Sequence, residues 1–218
     1  MKSNLKVLNN IIINRHTDIG DVGIYLDDWS NNIEVTGNTV AGCGSGMSAG
    51  NAFNAKFKNN TSFDNNMSQI FLLRSSTQPV AGKKGLDYLE VTGNIFFVKA
   101  PVTNGVGSHS MFIMDAAAGS GLPTNSTFDY NYYVSPVYTK GSVYSYFNSV
   151  GADRYLSSWQ SYSGQDAHSK ETPMVIPDST YLRFEYNSTT STNSVSLGAS
   201  YMDAKGAVYN GVITLAPF

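Results

Sequence analysis

The sequence predicts an all-β protein: a coiled stack of parallel strands about five coils deep, followed by a small antiparallel β module. Two recurrences and the composition predict it. Five times a large apolar residue is followed three positions later by asparagine: Val7–Asn10, Val35–Asn38, Phe57–Asn60, Val91–Asn94 and Phe128–Asn131. These asparagines lie 28, 22, 34 and 37 residues apart, each in a short β-prone stretch. A period in the low twenties with irregular insertions is what one repeat per turn of a stack produces, the insertions becoming corner loops. A second strand class recurs as GIYLDD, GMSAGN, QIFLLR and MFIMDA, aligned on Ile24, Met47, Ile70 and Phe112. Gly (20), Tyr (14) and Phe (11), with abundant Asn, Ser and Thr, favour short strands and tight turns over helices.

Three segments follow: coils with loop insertions over 1–150, a closing segment over 151–178, and an antiparallel module over 179–218. Each coil is expected to hold at least two strands, stacked about 4.8 Å from their neighbours. Inward positions of the second class read Ile24 and Leu26, Met47 and Ala49, Ile70 and Leu72, Phe112 and Met114. The outward columns then read Tyr25, Ser48, Phe71, Ile113; Asp27, Gly50, Leu73, Asp115; and Asp28, Asn51, Arg74, Ala116. The asparagines sit at the corners, where an amide can bond backbone freed by the bend and the next asparagine in the column. Such a corner needs left-handed backbone, which Asn tolerates, and Gly37 and Gly93 precede two of the five. This column is structural and supplies no catalytic amide.

In the closing segment Trp159 is expected to pack on the last coil, and Asp166 and His168 to close a polar loop. Beyond it, YLRFEYN, SVSLGASYMD and GAVYNGVITLAPF read as strands joined by the turns NSTTSTN and DAKG. Leu182, Phe184, Tyr186, Val195, Leu197, Val212, Thr214 and Ala216 form the expected buried face. The opening MKSNLKVLNN runs straight into a strand without a signal peptide. The expectation is a C-terminal portion of a longer protein, with an open first coil through which copies could self-associate.

Composition excludes several classes. With 14% charged residues and a net charge of −2, there is no electrostatic footprint for nucleic acid. No apolar run approaches the roughly 20 residues of a membrane span. Cys43 is the only cysteine, so neither an internal disulfide nor a cysteine zinc cluster can form.

The phrase GIYLDDWSNNIEVTGNTV, and YLSSWQSYSGQDAHSKETPMVIPD over 155–178, resemble right-handed parallel β-helix proteins of the pectate-lyase-like superfamily. The resemblance covers about residues 4–178. It implies an extracellular or cell-surface protein whose partner is a polysaccharide or other glycan. The superfamily hosts lyases, glycosidases, esterases, adhesins and phage spikes, so it implies no single activity.

Chemistry is expected on the outward face of the GIYLDD strands, walled by insertions over 75–85, 100–110 and 116–126. Glycoside hydrolysis needs two carboxyls about 5–9.5 Å apart. Asp27 and Asp28 are adjacent, whereas Asp115 stands three rungs from Asp27, about 14 Å. Arg74 is two rungs from Asp28, about 10 Å, a distance that a sugar acid can bridge. The catalytic candidates are Asp27, Asp28, Asp115 and Arg74; the sugar-stacking candidates are Tyr25, Trp29 and Phe71. The bland alternative makes Asp27–Asp28 a hydrated rung end and Arg74 a partner of loop carbonyls. No cofactor is expected: a lyase of this kind often uses Ca²⁺, but no motif here indicates it. His16, His109 and His168 are isolated and read as loop residues. The reading is a protein acting on or binding polysaccharide, as a glycoside hydrolase or polysaccharide lyase remnant. Its alternatives are a non-catalytic adhesive β-helix, or a fragment whose active coils lay upstream.

Overall fold

The computed structural model describes residues 4–13, 20–75, 80, 82–99, 108–116, 121–123, 125–137 and 143–217. His16 and much of the three insertions lie outside these residues.

The chain visits three sheets in rotation. The first holds Lys6–Leu8, Asn31–Thr36, Phe53–Lys58, Glu90–Thr92 and Thr127–Asp129, in that order and all parallel. The second holds Ile11–Ile13, Thr39–Ala41, Thr61–Phe63, Ile95–Phe97, Tyr132–Val134 and Lys170–Glu171, again all parallel. In the third, Val22–Leu26, Ser45–Gly50, Ser68–Arg74, His109–Asp115 and Val143–Phe147 run parallel. Val150–Arg154 ends that sheet antiparallel. The protein is therefore all-β, built on parallel sheets in an arrangement compatible with a β-helix. Its second sheet is additional to the two expected strand classes. Strands of three residues directly after each asparagine are too short to show a period of two.

One inward column from each sheet meets at the centre: Val35, Phe57, Val91 and Phe128; Val40, Phe96 and Tyr133; Met47, Ile70, Met111 and Val143. Every one of these is buried, as are Ala49, Leu72 and Ile113 one step along the third sheet. The expected alignment of the fourth strand is corrected here. Met111, not Phe112, pairs with Ile70, and Ile113 pairs with Leu72. A slip of one residue exchanges the faces of a strand, so Phe112 and Met114 point outward and Asp115 stands beside Arg74.

The asparagine ladder explains the three-residue spacing that marks the repeat. Each amide oxygen accepts from the backbone N–H and the Nδ2 of the preceding asparagine, at 2.9 to 3.0 Å throughout. Each Nδ2 also donates to the carbonyl of the apolar residue of the tier before: Asn38 to Val7, Asn60 to Val35, Asn94 to Phe57, Asn131 to Val91. The left-handed backbone falls one residue earlier than expected, on Asn9, Gly37, Asn59, Gly93 and Tyr130. Gly37 suits its position in two ways. Its φ is +70°, and a Cβ there would lie 2.2 Å from Asn9 Oδ1.

The ladder stops at the closing segment. Asn131 donates its backbone N–H to Ser169 Oγ and its Nδ2 to Asp166 Oδ1. Asp166 also accepts from Trp159 Nε1 (2.8 Å), Tyr133 Oη (3.0 Å) and Ser169 Oγ (2.6 Å). Burial pushes its carboxyl up, against those four hydrogen bonds. Trp159, on the helix Leu156–Ser163, is fully buried and meets the Phe128 ring edge-on.

The C-terminal module lies along the side of the stack, where Phe184 stacks on Phe63 of the second sheet at 4.3 Å. Asn193–Ser196 pairs with Val212–Leu215, and Tyr201–Met202 with Val208–Tyr209 across the DAKG turn, both antiparallel. Two expectations are corrected. Residues 182–187 join no sheet; they follow the short 3-10 turn Ser179–Tyr181 without regular structure, held by contacts such as Asn187 Nδ2 to the carbonyls of Ser191 and Ala216. In the last strand Ile213 and Leu215 turn inward, leaving Val212, Thr214 and Ala216 exposed. Among the described residues no helix is long and apolar enough to cross a membrane.

Candidate functional site

Each sheet has one outward face, and the three differ in chemistry. On the first, Lys6, Glu34, Lys56 and Glu90 stand in register and alternate in sign. They form ion pairs from Lys6 to Glu34 (3.3 Å) and from Lys56 to Glu90 (3.5 Å). Such exposed pairs make a solvated face worth little energy. The second face, with Phe63, Ile95 and Phe97, lies under the C-terminal module. The third carries aromatic side chains.

With the register corrected, the main outward column of the third sheet reads Tyr25, Ser48, Phe71, Phe112, Tyr144. Beside it run Gly50, Leu73, Met114 and Tyr146. Phe71 meets Phe112 edge-on at 5.1 Å, and Phe112 lies 4.6 Å from Tyr144. Tyr25 is 53% exposed, while Phe71, Phe112 and Tyr144 are half-buried. Rings on neighbouring rungs of a parallel sheet repeat every 4.8 Å or so. The result is a strip of three rings, Phe71, Phe112 and Tyr144, across the strands, with Tyr25 two rungs from Phe71 beyond Ser48.

Carboxylates mark both ends of this strip. At one end Asp27 accepts from the backbone N–H of Asp28 (2.8 Å), and Asp28 Oδ1 accepts from Asn51 Nδ2 (2.8 Å). Asn51 Nδ2 also donates to Ser75 Oγ (2.8 Å). Burial, then the hydrogen bond and charge of Asp27 and the charge of Asp28, raise the Tyr25 phenol above its ordinary value. The Tyr25 hydroxyl would lie 3.2 Å from a Cβ at position 50, so Gly50 leaves room for the ring. At the other end His109 Nε2 lies 2.9 Å from Asp153 Oδ1, and its ring faces Phe112 (5.7 Å) and Tyr144 (5.5 Å). Among the described residues His109 Nδ1 has no hydrogen-bond partner. His109 is thus a buried strand residue, not the loop residue expected.

The sequence candidates therefore separate. Tyr25, Asp27 and Asp28 cluster at one end of the strip, and Phe71 lies within it. Trp29 is half-buried in the following turn, with left-handed backbone. Arg74 and Asp115 point inward and form a buried ion pair at 2.8 Å. Arg74 also donates to the carbonyls of Gly121 (2.5 Å) and Gly85 (3.4 Å), tying two loops to the strand end. The expected columns that placed Asp115 with Asp27, and Ile113 with Phe71, are corrected by the same one-residue shift. Reading the register from Met111 would have found the aromatic strip and the Arg74–Asp115 pair together.

Elsewhere, His168 Nδ1 lies 2.7 Å from Asp129 Oδ2, and its ring stacks on Tyr130 at 4.8 Å. Desolvation raises the Asp129 carboxyl, but hydrogen bonds from His168 and from the Tyr130 backbone outweigh it and hold it below its ordinary value. Among the described residues no group of three or more His, Cys, Asp or Glu side chains is placed to hold a metal ion. No family model, curated protein or solved structure matches this chain.

Proposed function

We propose that this chain is a right-handed parallel β-helix of five coils, of the pectate-lyase-like kind, whose third-sheet face binds a neutral polysaccharide outside the cell. One observation carries the reading: the aromatic strip Tyr25, Phe71, Phe112, Tyr144 lies on the face that is neither ion-paired nor under the module. Aromatic rings pack against the apolar faces of sugar rings, while Asp27 and Asp28 can accept hydrogen bonds from sugar hydroxyls. The charge argues for a neutral chain. Asp27, Asp28 and Asp153 bracket the strip, and the guanidinium of Arg74 is turned inward and neutralised by Asp115. A polyuronate would meet like charge there. The right hand follows the general preference of parallel crossovers.

In this reading Asp27 and Asp28 contact sugar, Trp29 holds the adjoining turn, and Arg74 and Asp115 position loops. Titration calorimetry with neutral and with acidic polysaccharides tests it. Saturable binding of a neutral chain that releases no new reducing ends is the expected result; binding of polyuronates alone would contradict it. Pairing of two copies through the edge strands Lys6–Leu8 and Val22–Leu26 belongs to the same proposal. A strict monomer at high concentration in light scattering counts against that part.

A further inference from the structure

We infer that the space between the second sheet and the C-terminal module is a binding site for an apolar small molecule, separate from the aromatic strip. The cavity is about 710 Å³, within the roughly 300–1,000 Å³ of small-molecule pockets. Its floor is the outward column of the second sheet, with Phe63, Ile95 and Phe97 on neighbouring rungs. Its roof is Leu197, Ile213 and Leu215 of the module. Phe63 belongs to the floor and Phe184 to the module, and their rings stack at 4.3 Å with planes 13° apart.

The module's own packing points to an occupant. Among its described apolar residues, Leu197 alone is buried; Leu182, Phe184, Val195, Ile213 and Leu215 remain half-buried. About forty residues are too few for an independent core, and Leu182, Phe184, Leu197, Ile213 and Leu215 line the cavity. An apolar molecule in the gap removes both walls from water at once. Polar groups favour no charged ligand inside. Arg183, which lines the cavity, donates to Glu185 Oε1 (2.5 Å) and to the carbonyls of Ser196 (2.9 Å) and Leu197 (3.2 Å). A gap walled on two sides by strands of one chain admits a ring system or an acyl chain, not the surface of a folded partner.

The test uses the full chain with two uncharged probes, dodecanol for an aliphatic chain and aminoanthracene for a flat ring. Saturable one-to-one binding of either, with a Tm that rises with probe concentration, is expected. Whichever binds identifies the class. Leu197→Trp, which fills the cavity from the roof, is expected to weaken binding at least tenfold while a Phe112→Ala variant binds unchanged. If Leu197→Trp fails to fold, Ile95→Trp fills the space from the floor. Absence of saturable binding by both probes overturns the inference, as does undiminished binding to a folded filled variant. Loss of polysaccharide binding leaves this result untouched, so the two proposals fail separately.

Discussion

Single residues carry the ladder. Asn94 is fully buried, and its side chain donates to Phe57 and Asn131 and accepts from Asn60. Replacing it with alanine strands several of these buried groups at about 1–3 kcal/mol each. Asn94→Ala should therefore cost at least about 3 kcal/mol in urea denaturation, whereas an exposed Asn such as Asn193 should tolerate the change. Asp166 sets a pH dependence. Its carboxyl is raised by burial, so the native state holds more protons than the unfolded state between the ordinary carboxylate value of 3.8 and the raised one. Its contribution to unfolding free energy thus falls as pH rises through that window and is full below it. In urea midpoints measured against pH, wild type should gain on Asp166→Asn as pH is lowered towards 4. A difference independent of pH would contradict this.

At the scale of elements, the fourth strand of the third sheet decides the face. Met111 and Phe112 are neighbours with opposite fates: Met111 is fully buried and Phe112 half-buried on the strip. Met111→Ala should cost about 2–5 kcal/mol, and Phe112→Ala clearly less, in paired denaturation curves. The opposite order would restore the slipped register. At the end of the same strand Asp115 shares a buried ion pair with Arg74, which ends the neighbouring strand. Removing one partner of such a pair costs about 3–5 kcal/mol, while replacing both by apolar residues recovers much of it. A thermal-melt comparison of Arg74→Met, Asp115→Leu and the double variant checks this.

These elements also show what the sequence discloses. The ladder is legible because every tier repeats one inward apolar residue and, three positions on, one ladder asparagine, a pattern that survives insertions. The register of His109–Asp115 was not legible. Its run Met111–Phe112–Ile113–Met114 is apolar on both faces, so alternation gives no parity, and the 42-residue interval between Ile70 and Phe112 gives no count to anchor it. Val212–Leu215 slipped for a related reason, since Val212 and Ile213 are equally apolar. Asp166 hid because it ends the asparagine column with a different residue type, at a spacing set by a helix.

For the whole molecule, the faces divide the work. The first sheet presents paired charges, the second carries the module, and the third exposes rings bracketed by carboxylates. The candidate site was half legible: Tyr25, Asp27, Asp28 and Phe71 could be placed together from local pattern. Phe112, Tyr144 and His109 needed the pairing of strands more than thirty residues apart. The third face is proposed as a surface for neutral sugar chains. The most direct measurement is calorimetric titration of a neutral polysaccharide into wild type and a Phe112→Ala/Tyr144→Ala double variant, with both melting curves recorded. Saturable binding by wild type, at least tenfold weaker in a variant that still melts cooperatively, is the predicted result. Equal binding by the two proteins, or none by wild type across neutral chains, would contradict the account.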